Sequence, residues 1–417
     1  MNESIKTLPL FAGYGIELEY MIVDSDDCNV LPVTDQVIKT IAGEFINEVE
    51  QGPIAWSNEL VLHVIELKSN GPVTSLEPLP DQFLQNIHQI NTILSDIQGQ
   101  LMPTAMHPWM DPYQETRLWP HDASEIYDTY NRIFNCTGHG WSNLQSMHIN
   151  LPFADDREFG LLHAAIRVLL PIMPALAASS PIMNGEYTGL LDTRLETYRR
   201  NAEKIPSITG LIIPEPVSSD AEYQQNILQP MYRDISPHDP DKILQYEWLN
   251  SRGAIARFDR NAIEIRVLDT QETPVADIAI AAVIISTLKK LVITEWSDTT
   301  EQNLLKTEML AEILMQAVKD GELAVIKHKP FLELFEFPDR KGQIQELWLH
   351  ILESVADNDA DLNPELKKTI QYIIRCGPLA RRIMQSVGKE IRKPQLQETY
   401  RRLCECLKTG TLFEGIS

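Results

Sequence analysis

Four short segments carry the residues whose types and spacing suit chemistry. In Gly15–Asp24, GIELEYMIVD, two carboxylates, Glu17 and Glu19, stand two positions apart. A strand sends such residues to one side, so these acids share a face while Ile16, Leu18 and Tyr20 share the other. Like charges side by side repel each other, and a divalent cation between them removes the penalty. In Asn58–Ser69, NELVLHVIELKS, Glu59 opens the run and Glu66 lies within it, with Lys68 on the face of Glu66. Glu59 and Glu66 are an odd number of positions apart, so a regular strand would point them oppositely. A shared site requires a bend there, or a loop position for Glu59. In Gln145–Phe153, QSMHINLPF, Met147, Ile149 and Leu151 line one face, and His148 and Asn150 the other. In Ala262–Asp269, AIEIRVLD, Ile263, Ile265 and Val267 are apolar, and Glu264 and Arg266 form the polar side.

Taken singly, each segment reads as an ordinary antiparallel strand with its polar side in solvent. As a set they say more. Acids, one imidazole and one guanidinium recur where a solvated face usually carries Lys, Thr, Ser and Gln. Glutamates with one histidine suit a hard, oxygen-preferring ion such as Mg²⁺ or Mn²⁺. Structural zinc would call for thiolates or several histidines. No GxxxxGK[ST], GxGxxG or GxSxG motif occurs in the chain.

The elements that must position these groups divide near residue 298. The first part, 1–298, mixes short alternating segments, Pro-rich loops and a few helices, and is read as the catalytic domain. The second, 299–417, is read as a helical region packed on it. Helical periodicity is expected over Leu79–Gly99, Val275–Trp296, Thr300–Leu323, Lys341–Val355, Pro364–Arg375, Leu379–Val387 and Pro394–Leu407. The most apolar stretch, Leu161–Met183, is interrupted by His163, Arg167, Pro171 and Pro174. It reads as a kinked, buried helix and not as a membrane span.

Composition narrows the function. With 36 Lys+Arg against 59 Asp+Glu in 417 residues, the net charge of −23 argues against a polyanionic nucleic-acid partner. It is compatible with ATP, since divalent cations bridge carboxylates to phosphates. Five cysteines without framework spacing point to a reducing compartment. Cys404 and Cys406 read as structural. Neither a secretory signal nor a membrane span is visible, and the expected location is the cytoplasm.

At the same four segments the chain resembles the glutamate–cysteine ligase family, second type, with its carboxylate–amine ligases. The likeness rests on GIELEY, the Glu59/Glu66 pair, MHINL, AIEIRVLD followed by Pro274, and ASSP leading to DTRLETYRR. It implies an α+β, glutamine-synthetase-like fold, in which a curved antiparallel sheet forms a funnel backed by helices. It also implies that Glu17, Glu19, Glu59, Glu66, His148 and Glu264 are metal ligands, with Mg²⁺ or Mn²⁺ bridging ATP to the acid. Arg266 and Glu19 are then the catalytic residues. Arg266 steadies the transferred phosphoryl group, Arg132 in YNRIF touches the ATP phosphates, and Arg194 and Arg199 hold the substrate's carboxylate.

The implied activity is ATP-dependent amide formation, of γ-glutamyl type, through an acyl phosphate. Its partners are a small acid, glutamate being favoured, and cysteine or another amine. A homo-oligomer is compatible with this reading. The readings set against it are a metal-dependent amidase or phosphatase, and a non-catalytic binding or regulatory protein of the same fold.

Overall fold

The computed structural model describes residues 7–355, 361–388 and 390–415. Eight strands form its main sheet: β1 (Gly15–Asp24), β2 (Glu48–Gln51), β3 (Ile54–Asn58), β4 (Val64–Ser69), β5 (Gly99–Met102), β6 (Ser146–Pro152), β7 (Ala254–Arg257) and β8 (Ala262–Asp269). Their spatial order is β2-β3-β4-β1-β6-β8-β7, with β5 pairing the far end of β1. Every pairing is antiparallel.

The four chemistry-bearing segments thus become neighbours. One correction applies: Asn58–Ser69 is not a single strand. It turns between β3 and β4, and Glu59 sits just past the end of β3. The odd spacing from Glu66 is resolved by that turn.

Alternation is kept on the buried face. Ile16, Leu18, Tyr20, Ile65, Leu67, Met147, Ile149, Leu151, Ile263 and Ile265 are all inaccessible to solvent. They join one continuous core with the helices behind them. Those helices are α1 (Leu79–Ser95), α3 (Asp156–Leu169) and α5 (Pro274–Val292), while α2 (Ser124–Phe134) and α4 (Thr193–Arg200) carry residues to the other face. α5 is buried along almost its whole length, as its apolar sequence requires. Pro171 and Pro174 break the stretch after α3 into a 3₁₀ turn and a short helical turn, the expected kink.

Beyond residue 298 the longer helices are α6 (Thr307–Asp320), α7 (Ile344–Val355), α8 (Pro364–Cys376), α9 (Leu379–Val387) and α10 (Lys393–Thr409). The core runs without interruption from sheet residues into α6, α7 and α8. Helix ends differ from expectation where backbone chemistry intervenes. Gly99 opens β5 and does not end α1, and extended Leu305 and Lys306 split the expected Thr300–Leu323 helix.

One buried ion pair joins the tail to the sheet. Arg382 of α9 donates to Glu272, just past β8, and to the carbonyl of Phe413, and both charged side chains are sealed from solvent. Removing one member strands the other charge in the interior. Glu272→Ala is therefore expected to cost about 3–5 kcal/mol of unfolding free energy in urea denaturation. A loss below about 1 kcal/mol would show that the pair does not fasten the tail.

Candidate active site

The face of the sheet opposite the core is open, and register sets what stands there. Glu17 pairs with Lys68 on β4 and with His148 on β6, and Glu19 pairs with Glu66. Directly opposed residues of an antiparallel pair project to the same face. Two acids from β1, one from β4 and an imidazole from β6 therefore converge. Gly15 faces Asn150, and a Cβ there would lie 2.9 Å from the Asn150 Cβ. The glycine that begins GIELEY thus admits the asparagine that supports Glu17.

Hydrogen bonds fix the cluster. His148 Nδ1 lies 2.9 Å from Glu17 Oε2, and Asn150 Nδ2 donates to Glu17 Oε1 at 2.9 Å. The amide and hydroxyl of Ser146 both donate to Glu19 Oε2, at 2.7 and 3.0 Å. Ser57 Oγ donates to Glu66 Oε1 at 2.6 Å, and Lys68 Nζ lies 3.2 Å from the same oxygen. Two trios result, Glu17–Glu66–His148 and Glu19–Glu59–Glu66. Within each, one donor atom per residue lies within 4.8 Å of the others, and Glu66 belongs to both.

Glu264 stands apart from both trios. Its carboxylate is bonded to Arg266 Nε, and Oε1 lies 3.8 Å from His148 Nδ1. The register between β8 and β6 shifts between Ile265 and Leu268, so a bulge holds Arg266. Such an irregularity re-aims a side chain. Here the guanidinium lines the cavity above the acids.

The electrostatics are those of a crowded acidic site. Burial and the charges of Glu19, Glu66 and Glu17 raise the Glu59 carboxyl well above the usual range. Burial and the charge of Glu17 push Glu66 up to about 7, against the opposing pull of Lys68. Burial acts upward on Glu17 too, but its bond to His148 and the nearby cations bring it down to about 2. Burial works against a charged His148, yet Glu17, Glu19 and Glu264 raise it above its ordinary value. Carboxylate oxygens, one imidazole nitrogen and too few cations to balance them fit a hard divalent ion.

This cluster floors a cavity of about 520 Å³, whose far wall is aromatic. Tyr127 and Tyr130 of α2, Trp141, Tyr198 of α4 and Trp248 line it, and Arg194, Arg257 and Arg260 stand at its sides. A second cavity, of about 550 Å³, opens at the other end of the strands between Gly13, Gly15, Ile16, Pro72, Pro152 and Ala262. Glu17, Lys68 and Arg260 line both.

The site residues expected from sequence all line the cavity except Arg132 and Arg199, and of the expected metal ligands Glu264 lies outside both donor trios. Arg132 is corrected: Ile126, Tyr127 and Tyr130 face the cavity, so helical phase turns Arg132 outward, where Nη1 donates to the carbonyl of His238 at 2.9 Å. Arg199 is corrected likewise. Arg194 and Tyr198 face inward on α4, while Arg199 pairs with Glu196 outside. Arg194 is buried, and its Nη2 donates to the Arg266 carbonyl at 3.0 Å. Sequence reading missed the aromatic wall, Ser146, Arg257 and Arg260. Tyr127 and Tyr130, at helical spacing in α2, were its one available signal.

The fold and its acid-floored cavity define an α+β protein of glutamine-synthetase-like architecture, built to gather carboxylates on one sheet face. The chain belongs to glutamate–cysteine ligase family 2, which it matches over residues 14–392, well into the helical tail. An uncharacterized protein of Archaeoglobus fulgidus is 31% identical over 399 residues, covering 96% of this chain and 99% of that one. A Ruegeria pomeroyi protein named "putative glutamate–cysteine ligase 2" is 28% identical over 211 residues, 51% of this chain and 50% of that one. In fold, the chain is similar to glutamate–cysteine ligase of Francisella tularensis, solved in complex with AMP. That likeness has a TM-score of 0.59 at 13% identity and covers 97% and 90% of the two chains.

A carboxyl with a higher pKa in the fold than in the unfolded chain holds its proton more tightly when folded. Stability then falls as pH rises between the two values. For Glu66 that window runs from 4.5 to about 7, and the cost is on the order of 3 kcal/mol. The metal-free protein should therefore lose thermal stability between about pH 5 and pH 7.5. Mg²⁺ or Mn²⁺ should restore more of it at the upper pH, and Glu66→Gln should abolish the ion-dependent part. Equal stabilisation by the ion at both pH values would exclude these acids as its ligands.

Proposed function

We propose that the protein is an ATP-dependent ligase that joins a carboxylic acid, with glutamate favoured, to an amine. The observation that carries this reading is the pair of donor trios sharing Glu66 beneath the guanidinium of Arg266. A carboxylate does not acylate an amine, because its oxygen is a poor leaving group. Transfer of the γ-phosphoryl of ATP to that oxygen gives an acyl phosphate and ADP. The amine then attacks the acyl carbon, the amide forms, and phosphate leaves with the bonding pair. Such transfer needs positioning and charge neutralisation more than covalent help.

The residues of the chain divide this work. Divalent ions, Mg²⁺ or Mn²⁺, would supply neutralisation of the polyphosphate when held by Glu17, Glu66 and His148 and by Glu19 and Glu66, which leaves Glu59 free of a ligand role. Arg266, anchored by Glu264, offers a fixed planar cation to the group in transfer. Arg194, buried and braced by the Arg266 carbonyl, holds that strand end in place. The incoming ammonium must lose a proton. Glu59 is the base we favour, since it stands just past the end of β3 and burial with the charges of Glu19, Glu66 and Glu17 raises its carboxyl well above the usual range.

The two cavities meet at Glu17, Lys68 and Arg260, which supports entry of reactants from opposite ends. We place the nucleotide base in the slot around Gly13, Ile16 and Pro72, and the acid and amine in the aromatic-walled cavity. AMP bound to the Francisella tularensis ligase supports an adenine nucleotide. Cytoplasmic location fits the free thiols of all five cysteines and the need for ATP. Among the described residues no helix is long and apolar enough to cross a membrane.

ADP release in the presence of Mg²⁺, ATP, glutamate and a panel of amines tests the reading. Amine-dependent release is expected, with Glu17→Gln and Arg266→Ala each lowering it by roughly 10²-fold or more. Amine-dependent release that survives both substitutions would refute it.

A further inference from the structure

The acids floor the cavity of about 520 Å³, and the phosphoryl transfer drawn from them leaves the opposite wall unused. It is built of rings. Tyr130 lies 5.1 Å from Trp141 and 5.9 Å from Trp248, centre to centre. Trp248 in turn stacks on Tyr246 at 5.7 Å with the planes 10° apart. Tyr246 is 57% exposed, and Trp248 is only half-buried. Trp141 Nε1 is shielded from solvent and meets no hydrogen-bond partner among the described residues. Leu60, Ile126 and Leu144 complete the apolar lining.

This wall is larger than a small acceptor can use. Cysteine would present one methylene and a thiol to it, leaving most of that lining uncovered in a space of about 520 Å³. Partly exposed rings grouped at a cavity mouth mark a surface that gains by being covered. The charged parts of the reactants are served elsewhere, by Arg257, Arg260 and Arg266 at the sides and the acids below. What remains for the ring wall is the carbon skeleton of the acceptor, whose amine must point down toward Glu59.

Resting on the ligase reading above, we propose that the acceptor is a primary amine bearing an aromatic group, and that cysteine is a poor substrate. The ring of the acceptor lies against the cluster of Tyr130, Trp141 and Trp248, and its amine faces the acyl phosphate. Offset or edge contacts with several rings select a flat group over an aliphatic chain of similar length.

The experiment has two arms on the whole protein. Hydroxylamine, which has no side chain, traps the activated acid as a hydroxamate and reads activation alone. In parallel, kcat/KM is measured for phenethylamine, tyramine, putrescine and cysteine at saturating ATP and glutamate. Aromatic amines are expected to exceed cysteine and putrescine by about tenfold or more. Trp248→Ala, at a half-buried position, should shrink that ratio severalfold through the KM of the aromatic amine, and Trp248→Phe should keep most of it.

Hydroxamate formation combined with a preference for cysteine or putrescine would overturn this inference and leave the ligase reading standing. A Trp248→Ala effect confined to the KM of ATP would overturn it too, by giving the rings to the nucleotide base. No hydroxamate from the unaltered protein would overturn the ligase reading and this inference with it.

Discussion

Repulsion among carboxylates on one sheet face is the constraint around which the rest is arranged. Glu17, Glu19, Glu59 and Glu66 stand within a few ångströms of one another on a wall that excludes much of the water able to screen them. A flexible scaffold would relieve the repulsion by turning the side chains outward. This sheet does not yield, because its other face is locked into the core by Ile16, Leu18, Ile65, Leu67, Met147 and Ile149. Slipping any strand by one position would bury its acids and expose those residues. The hydrophobic effect on one face thus holds like charges together on the other.

Local hydrogen bonds then decide which acids stay charged. Glu17 is served by His148 and Asn150 and remains ionised, while Glu66, served by Ser57 and Lys68, and Glu59, with fewer partners, hold protons more readily. Acids of one residue type therefore differ in protonation at the same pH. Under the ligase reading that difference is useful, because a site of this kind needs both fixed negative ligands and an acid able to exchange a proton.

Much of this was legible in the sequence, and the reasons are specific. Alternation alone put Glu17 with Glu19 and His148 with Asn150, since period two fixes faces without knowledge of neighbours. The odd spacing of Glu59 and Glu66 required a bend, and the turn after β3 supplies it. Strand order lay beyond reach, because nothing in one strand's pattern names its partners. Arg132 and Arg199 were assigned to the site by the family resemblance of YNRIF and DTRLETYRR. On a helix, a step of two residues from Tyr130 or one from Tyr198 turns a side chain away, and both arginines point outside. The aromatic wall escaped notice because its rings come from α2, from the helical turn His139–Ser142, from α4 and from a 3₁₀ turn near residue 248, with no shared motif.

The bulge in β8 shows how an irregularity completes a site that regular pleating cannot. Regular alternation would set Arg266 on the acidic face as one more side chain in a row, free to pair with whichever carboxylate lay nearest. The register shift beyond Ile265 instead lets its carbonyl accept from Arg194 while its guanidinium binds Glu264. Glu264 is thereby occupied by a cation of its own and drawn out of the two trios. Among the described residues the remaining acids are left with Lys68 and the His148 imidazole as their paired basic groups, too few to balance them. A sheet that neutralised every carboxylate internally would be more stable and would have nothing left with which to hold an ion.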